Sequence, residues 1–509
     1  MLATLARASR AIAARSSVRS YTTVNTAVAY NGEVHLEAGS TLANRQEGTI
    51  MDVFTSFSGE PVVLPDRFAA LKRHICTDPE RMMHSWQGLL RELEGAVEEV
   101  AEKGAELIPQ VSYSDVKHGL TDAQVMDIKK RGVVIVKGGV PEEEALGWKE
   151  SIKEYIGANS ERVRGGPPGK VVFYELYNSP AQIRARTHPA LITTQKALMS
   201  LWHAPSQSMS PLEVASLRTP ISYFDRLRIR PPGPSVFTLG PHIDWGRSDE
   251  RWEDPAFRAC FSRILASEDG EGWRSHDSFD VAPRLAWKQD FTGSGGNCSV
   301  FRPWQGWTAL SHTGPGEGTL RVLPLLSLTT AYIILRPFFR LRAGAPPHSL
   351  KAEDWEIDLE STVFHGCAPM KTQELSERSH PHLRLDKTLL SIPRVLPGDQ
   401  VFWHCDTVHA VEDEHNGEGD SSVLYIPAVP LTYRNAIYLR EQRAAFFNGL
   451  SAPDFPDGEG ESMFVGRATA NSVETLDGQR LFGLAPFEVP FDAMQGEARL
   501  IETVNSLLF

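Results

Sequence analysis

Two short segments hold the residue types best suited to binding a metal ion. One is Leu239-Gly240-Pro241-His242-Ile243-Asp244-Trp245-Gly246, and the other runs from Pro397-Gly398 to His409. They supply a His-x-Asp pair and a distant His. That is the donor set of the facial triad, which binds Fe(II) and leaves coordination positions open for substrate and O2. On a β-strand, residues i and i+2 point to the same face. His242 and Asp244 can therefore aim at one ion while Ile243 turns into packing. The second segment also contains His404-Cys405-Asp406, another His-x-Asp. Spacing leaves the third ligand open between His409 and His404. His404 and Asp406 can instead orient a ligand from behind.

The flanking residues predict how these side chains are presented. Pro231-Pro232-Gly233-Pro234 breaks the chain, and Val236 to Leu239 reads as a short strand leading to His242. Pro397-Gly398 suits the central positions of a type II turn. Val401-Phe402-Trp403 then starts a strand expected to carry His409 toward its end. Trp245, Trp304, Trp307 and Trp403 are candidate walls for the site.

Long unusual strings in this chain resemble the YbiU-like family of bacterial and fungal proteins. They include Arg131-Gly132-Val133-Val134-Ile135-Val136, Tyr223-Phe224-Asp225-Arg226-Leu227-Arg228-Ile229-Arg230, Phe301-Arg302-Pro303-Trp304 and Trp403-His404-Cys405-Asp406-Thr407-Val408-His409. The likeness spans about Arg131 to Gly449. That family in turn resembles Fe(II)/2-oxoglutarate-dependent oxygenases. The resemblance implies His242, Asp244 and His409 as metal ligands, Fe(II) as cofactor, 2-oxoglutarate as cosubstrate, and oxidation of a small organic substrate by O2. Such enzymes anchor the far carboxylate of 2-oxoglutarate, a task that suits the planar fork of Arg. The usual place lies shortly after the distal His, but here no Arg follows His409 before Arg434. Ser421, Ser422 and Tyr425 occupy the interval. Arg302 and Arg230 are the first candidates from elsewhere, with Arg321 and Arg394 behind them. The missing Arg keeps two alternatives open: a cupin-type isomerase or hydrolase that uses the metal without a cosubstrate, and a jelly-roll binding protein without catalysis.

The rest of the chain must position these residues. At 509 residues it can bury a large core. The expected fold is mainly β with flanking helices: a double-stranded β-helix (jelly roll, cupin-like) with its site in the mouth. Apolar residues recur at helical spacing between Met82 and Lys103. Further helices are expected after Thr121, after Pro141 and from Asn435 to Phe447, with Gly449 as a stop. Val133 to Val136 reads as a buried strand. Strands and turns prevail from Ser222 to Ala428, interrupted by insertions at Ser248–Gly272 and Ala343–Asp386. In the second insertion, Ser379-His380-Pro381-His382 reads as a solvated loop. The organisation is residues 65–210 as a helical part packing on the core, 211–450 as the core, and 451–509 as a C-terminal extension. Five scattered Cys without a CxxC pair read as reduced thiols. Net charge is −12, which argues against a nucleic-acid partner. No apolar run reaches the length of a membrane span.

Residues 1–22 contain Arg7, Arg10, Arg15 and Arg19, several Ser and Thr, and no acidic residue. That composition fits a mitochondrial transit peptide, with the matrix as destination, the cytoplasm as the alternative, and residues 23–64 as a linker. Mass spectrometry of the mature protein is expected to show the chain starting near residue 22. An intact Met1 in purified mitochondria would contradict this.

Overall fold

The computed structural model describes residues 53–54, 63–167, 170–204, 208–235, 239–245, 248–266, 268–287, 289 and 297–509. The expected transit peptide, most of the expected linker, and all but Leu239 of the strand expected at Val236–Leu239 lie outside the described residues. Those described belong to one compact unit.

Two sheets, of eight and five strands, build the centre. In chain order their strands are β1 (Gln110–Ser112), β2 (Val133–Lys137), β3 (Gly165–Gly166), β4 (Phe173–Tyr174), β5 (Leu227–Arg230), β6 (His242–Ile243), β7 (Trp304–Ala309), β8 (Leu320–Val322), β9 (Gln373–Glu374), β10 (Leu390–Ser391), β11 (Gln400–His404), β12 (His409–Val411) and β13 (Ser421–Tyr425). The larger sheet runs β1-β2-β11-β7-β13-β5-β4-β3, and the smaller runs β9-β6-β12-β8-β10. One apolar cluster joins them. Val133, Ile135, Trp307, Val401, Trp403 and Val423 come from the larger sheet, and Leu320 and Val322 from the smaller.

Alternation sends the other residues of the larger sheet outward. Val134, Val136, Trp304 and Phe402 pack beneath Ile128, Leu198, Met199 and Trp202 of the covering helices. The helices at Asp122–Arg131, expected after Thr121, and Pro189–Met199 thus cover the outer face. The first is set by local chemistry. Thr121 and Gln124 form a reciprocal capping box, and Gly132 ends the helix at φ 68°.

The long helix at Pro79–Lys103 does something else. Trp86 stacks on Phe339 at 4.3 Å and on Tyr332 at 5.3 Å. The helix therefore packs on the buried helix Leu326–Leu335 and its surroundings. Leu326–Leu335 corrects the expectation of strands from Ser222 to Ala428, as do Ser248–Glu253, Pro255–Cys260 and Ala282–Ala286. Leu326–Leu335 is buried except at Ser327 and, in part, Leu328, and its Thr329 and Thr330 are buried too, so no helical period of apolar and polar residues shows in its sequence. Among the described residues helix makes up 42% and strand 16%. The protein is mixed α/β, not mainly β.

The Ser379–His382 stretch is also corrected. His380 and His382 are buried, not solvated. His382 lies edge-on to Trp86, and its Nδ1 is 3.0 Å from the Tyr332 hydroxyl. Burial, with Arg336 nearby, pushes the His382 pKa down to about 3. Above about pH 6.5 folded and unfolded chains both hold this ring neutral. Below that, the unfolded chain takes up a proton that the folded chain refuses. Stability therefore falls as pH drops from about 6.5 toward 3, by about 1.4 kcal/mol per pH unit for one such group. Urea unfolding between pH 7 and pH 4.5 is expected to show this loss, with a slope shallower by that amount in His382→Phe. An unchanged slope would place the acid sensitivity elsewhere.

Candidate metal centre

Strands β6 and β12 are neighbours in the smaller sheet, and their register sets His242 directly across from His409. The two rings stand 4.2 Å apart. Asp244 follows one residue beyond β6. One of its oxygens lies 3.4 Å from His242 Nε2, and the other 3.8 Å from His409 Nε2. The three donor atoms fall within 4.8 Å of one another.

The remaining ring nitrogens are already committed. His242 Nδ1 lies 2.6 Å from the Gly240 carbonyl, and His409 Nδ1 lies 3.0 Å from that of Thr407. A carbonyl oxygen only accepts, so each Nδ1 carries a proton, and Nε2 is the nitrogen of each ring left to face an ion. Burial, helped by His242, drives the His409 pKa down to about 3 against the pull of Asp244. Burial pushes the Asp244 carboxyl upward, but His409, His242 and Arg302 outweigh it and hold the group below its ordinary value. A neutral imidazole and an ionised carboxylate are the forms that bind a divalent cation. The donor set therefore fits a metal ion.

A cavity of about 160 Å³ opens over these side chains, between the two sheets. Trp245, Trp307 and Trp403 line it, but Trp304 does not. Trp304 lies on the outer face of β7, where its indole N–H donates to the Leu198 carbonyl at 2.8 Å. His404 is also turned away. It shares the outer face of β11 with Phe402, stacks on Trp202 at 4.6 Å, and lies 3.0 Å through Nε2 from the Ser278 carbonyl. The chain then crosses from the larger sheet to the smaller, so His409 begins a new strand instead of ending β11. The turn that aims β11 is as expected. Asp399 N–H donates to the Leu396 carbonyl around Pro397-Gly398, with Gly398 at φ 90°.

The arginines sort differently from the expectation. Arg230 spends its guanidinium on the carbonyls of Glu412 and Asp413. Arg321 donates to the Leu389 carbonyl, and Arg394 pairs with Glu317 at the surface. None of these three lines the main cavity. Arg302 does, but it faces two carboxylates, Asp225 at 3.4 Å and Asp244 at 3.6 Å.

Sequence reasoning missed Arg228. It lines the cavity and is 4% exposed. Its Nη2 donates to the Gly318 carbonyl and the Ser421 hydroxyl. Its Nε has no partner, and no carboxylate among the described residues pairs with it. Alternation in Leu227-Arg228-Ile229-Arg230 already separates apolar from basic faces. What it does not reveal is that the Arg230 head is consumed by backbone. Arg228 stands opposite Val423 on β13, with Tyr425 as its diagonal neighbour.

The Gig2-like family profile matches residues 62–484. The chain belongs to the Gig2-like family. It is 33% identical over 393 residues to the uncharacterized protein YbiU of Escherichia coli K12, covering 75% of this chain and 86% of that protein. The sequence resemblance thus holds. The crystal structure of GlcNAc Inducible Gene 2 from Candida albicans superposes with a TM-score of 0.78 at 32% identity, covering 88% of this chain and 96% of that one. A Salmonella typhimurium LT2 structure provisionally assigned as an oxidoreductase gives 0.70 at 31% identity, with 83% and 99% covered.

Proposed function

We propose that this protein is a mononuclear Fe(II) oxygenase that uses 2-oxoglutarate and O2 to oxidise a small organic substrate. The observation that carries this reading is the juxtaposition of two features on one cavity. His242, Asp244 and His409 turn three ligand-type donors to one point. Arg228 offers an unpaired guanidinium on the wall. The two facing sheets, with the donors on the smaller one, support a double-stranded β-helix as the underlying architecture. The composition of residues 1–22 favours the mitochondrial matrix as the compartment.

His242 and His409 would hold the ion through Nε2 and Asp244 through its carboxylate. Bound there, Fe(II) supplies activation of O2 coupled to decarboxylation of the 2-oxo acid, yielding succinate, CO2 and an oxidised substrate. The chain's own part is orientation and exclusion of water. The Gly240 and Thr407 carbonyls fix the two imidazole tautomers. Trp245, Trp307 and Trp403 supply a low-polarity wall. Arg228 receives the far carboxylate, since a buried guanidinium without a counter-charge is costly until an anion arrives. A metal-only isomerase or hydrolase has no use for that cation, so Arg228 favours the oxygenase over this alternative.

Two measurements test the reading. Anaerobic Fe(II) titration is expected to give about one ion per chain, lost in His242→Ala and His409→Ala but retained in His404→Ala, because His404 faces the opposite side of β11. Loss of binding in His404→Ala with retention in His409→Ala would overturn the assignment. Calorimetry with 2-oxoglutarate on the Fe(II) protein is expected to show binding weakened about 10–100-fold in Arg228→Met, the loss of one charge-assisted carboxylate contact. Fe(II) affinity should be unchanged in that variant. Absence of 2-oxoglutarate binding to the wild-type Fe(II) protein would remove the cosubstrate from the proposal.

A further inference from the structure

We infer that Asp406, through Trp245, is a positioning residue that sets the spacing between Asp244 and His409 and thereby the affinity and geometry of the metal centre. The inference rests on the metal reading above.

His404, Cys405 and Asp406 form a second cluster of ligand-type side chains, but their polar atoms are committed to the protein. The Asp406 backbone N–H donates to His404 Nδ1 at 3.0 Å, so His404 Nε2 carries the proton toward the Ser278 carbonyl. The Asp406 carboxylate is fully buried and bonds both terminal nitrogens of Arg284, itself 2% exposed. No donor of this cluster is left to bind an ion. What remains is one further bond: the indole N–H of Trp245 donates to Asp406 Oδ1 at 2.8 Å.

That bond joins the two ligand-bearing segments. Trp245 follows Asp244 directly, and Asp406 lies in the turn that leads to His409. On the cavity side the segments are already joined by the backbone pairing of His242 with His409. Behind them, Asp406 and Trp245 form a second tie. Trp245 has little freedom to carry the bond elsewhere. Its ring packs against Phe257 and Phe261, and its carbonyl accepts from Arg251. Asp406 is equally held. Thr407, the next residue, donates to the Gly132 carbonyl at 2.9 Å and accepts from His409 Nδ1. The Asp406–Arg284 ion pair thus anchors a chain of contacts that ends on two of the three donors. Arg284 belongs to the short helix Ala282–Ala286, so a segment outside both sheets takes part in setting the site.

The charge on Asp406 is needed for more than the indole. Removing it leaves Arg284 buried without a counter-charge, a heavily destabilising change. Trp245→Phe is therefore the discriminating variant. It keeps an aromatic ring against Phe257 and Phe261 but removes the N–H together with the five-membered part of the indole, so the melting temperature of the metal-free protein serves as the control for lost packing. Co(II) titration followed by visible absorption reads both affinity and coordination geometry without turnover. Trp245→Phe is expected to weaken Co(II) binding about 10-fold, in the range for loss of a group that supports a ligand. Its Co(II) absorption band should shift, while the metal-free protein melts within about 3 °C of wild type. Asp406→Asn is expected to weaken Co(II) further and to lower the melting temperature as well. A Trp245→Phe protein with wild-type affinity and an unshifted band would overturn the inference, because the tie would then be a brace of the fold alone. A wild-type protein that binds no Co(II) would instead sink the metal reading beneath it.

Discussion

Residues opposed on neighbouring antiparallel strands stand about 5 Å apart whatever their side chains, because the backbone ladder sets the distance. His242 and His409 use that constraint. They come from distant parts of the chain, yet the pairing of β6 with β12 brings their rings to 4.2 Å. Asp244 needs only to follow His242 by two residues to join them. Everything else around the site acts on this rung. Two carbonyls set which nitrogen of each ring is free. The larger sheet supplies Trp307 and Trp403 as walls, and the cavity lies where the two sheets face each other.

The cost of this arrangement is electrostatic. Several arginines lie at or near the cavity, and each must be neutralised or solvated. Arg284 is matched by Asp406, Arg226 lies near Glu175 and Asp225, and Arg302 lies between Asp225 and Asp244. Arg230 is quieted by backbone carbonyls alone. Arg228 differs from these in having neither a carboxylate partner nor a bond for its Nε. Arg228 therefore brings to the cavity a charge that no carboxylate matches, whereas Arg284 and Arg302 beside it are matched.

Much of this was legible in the residues. The His-x-Asp spacing on an extended segment and the Pro397-Gly398 turn were readable because each depends on neighbours in sequence. So were the capped helix after Thr121 and the buried strand that follows it. What was not readable depended on contacts across the chain. His404 and His409 look equivalent until β11 is seen to end and the chain to change sheets between them. Trp304 and Trp307 look alike until alternation assigns them to opposite faces. Arg230 looks as available as Arg228 until its bonds to Glu412 and Asp413 are drawn. Leu326–Leu335 gave no helical period, since nearly all of it is buried and no continuous polar face marks one. His380 and His382 looked like surface residues because their aromatic cover comes from other elements: Trp86 and Trp355 for His382, Tyr332 for His380.

The strand order of the larger sheet has a consequence for how the molecule comes into being. β2, near the start of the described chain, hydrogen-bonds to β11, near its end, and β11 pairs in turn with β7. A nascent chain has β1 beside β2 but lacks the other partner of β2 until residues 400–404 have left the ribosome, and the donors cannot assemble until His409 has followed. Such long-range pairing makes folding slow, because much of the loop-closure entropy is spent before the contacts that offset it are made. The same wiring means that neither half of the gene encodes a unit able to hold the site.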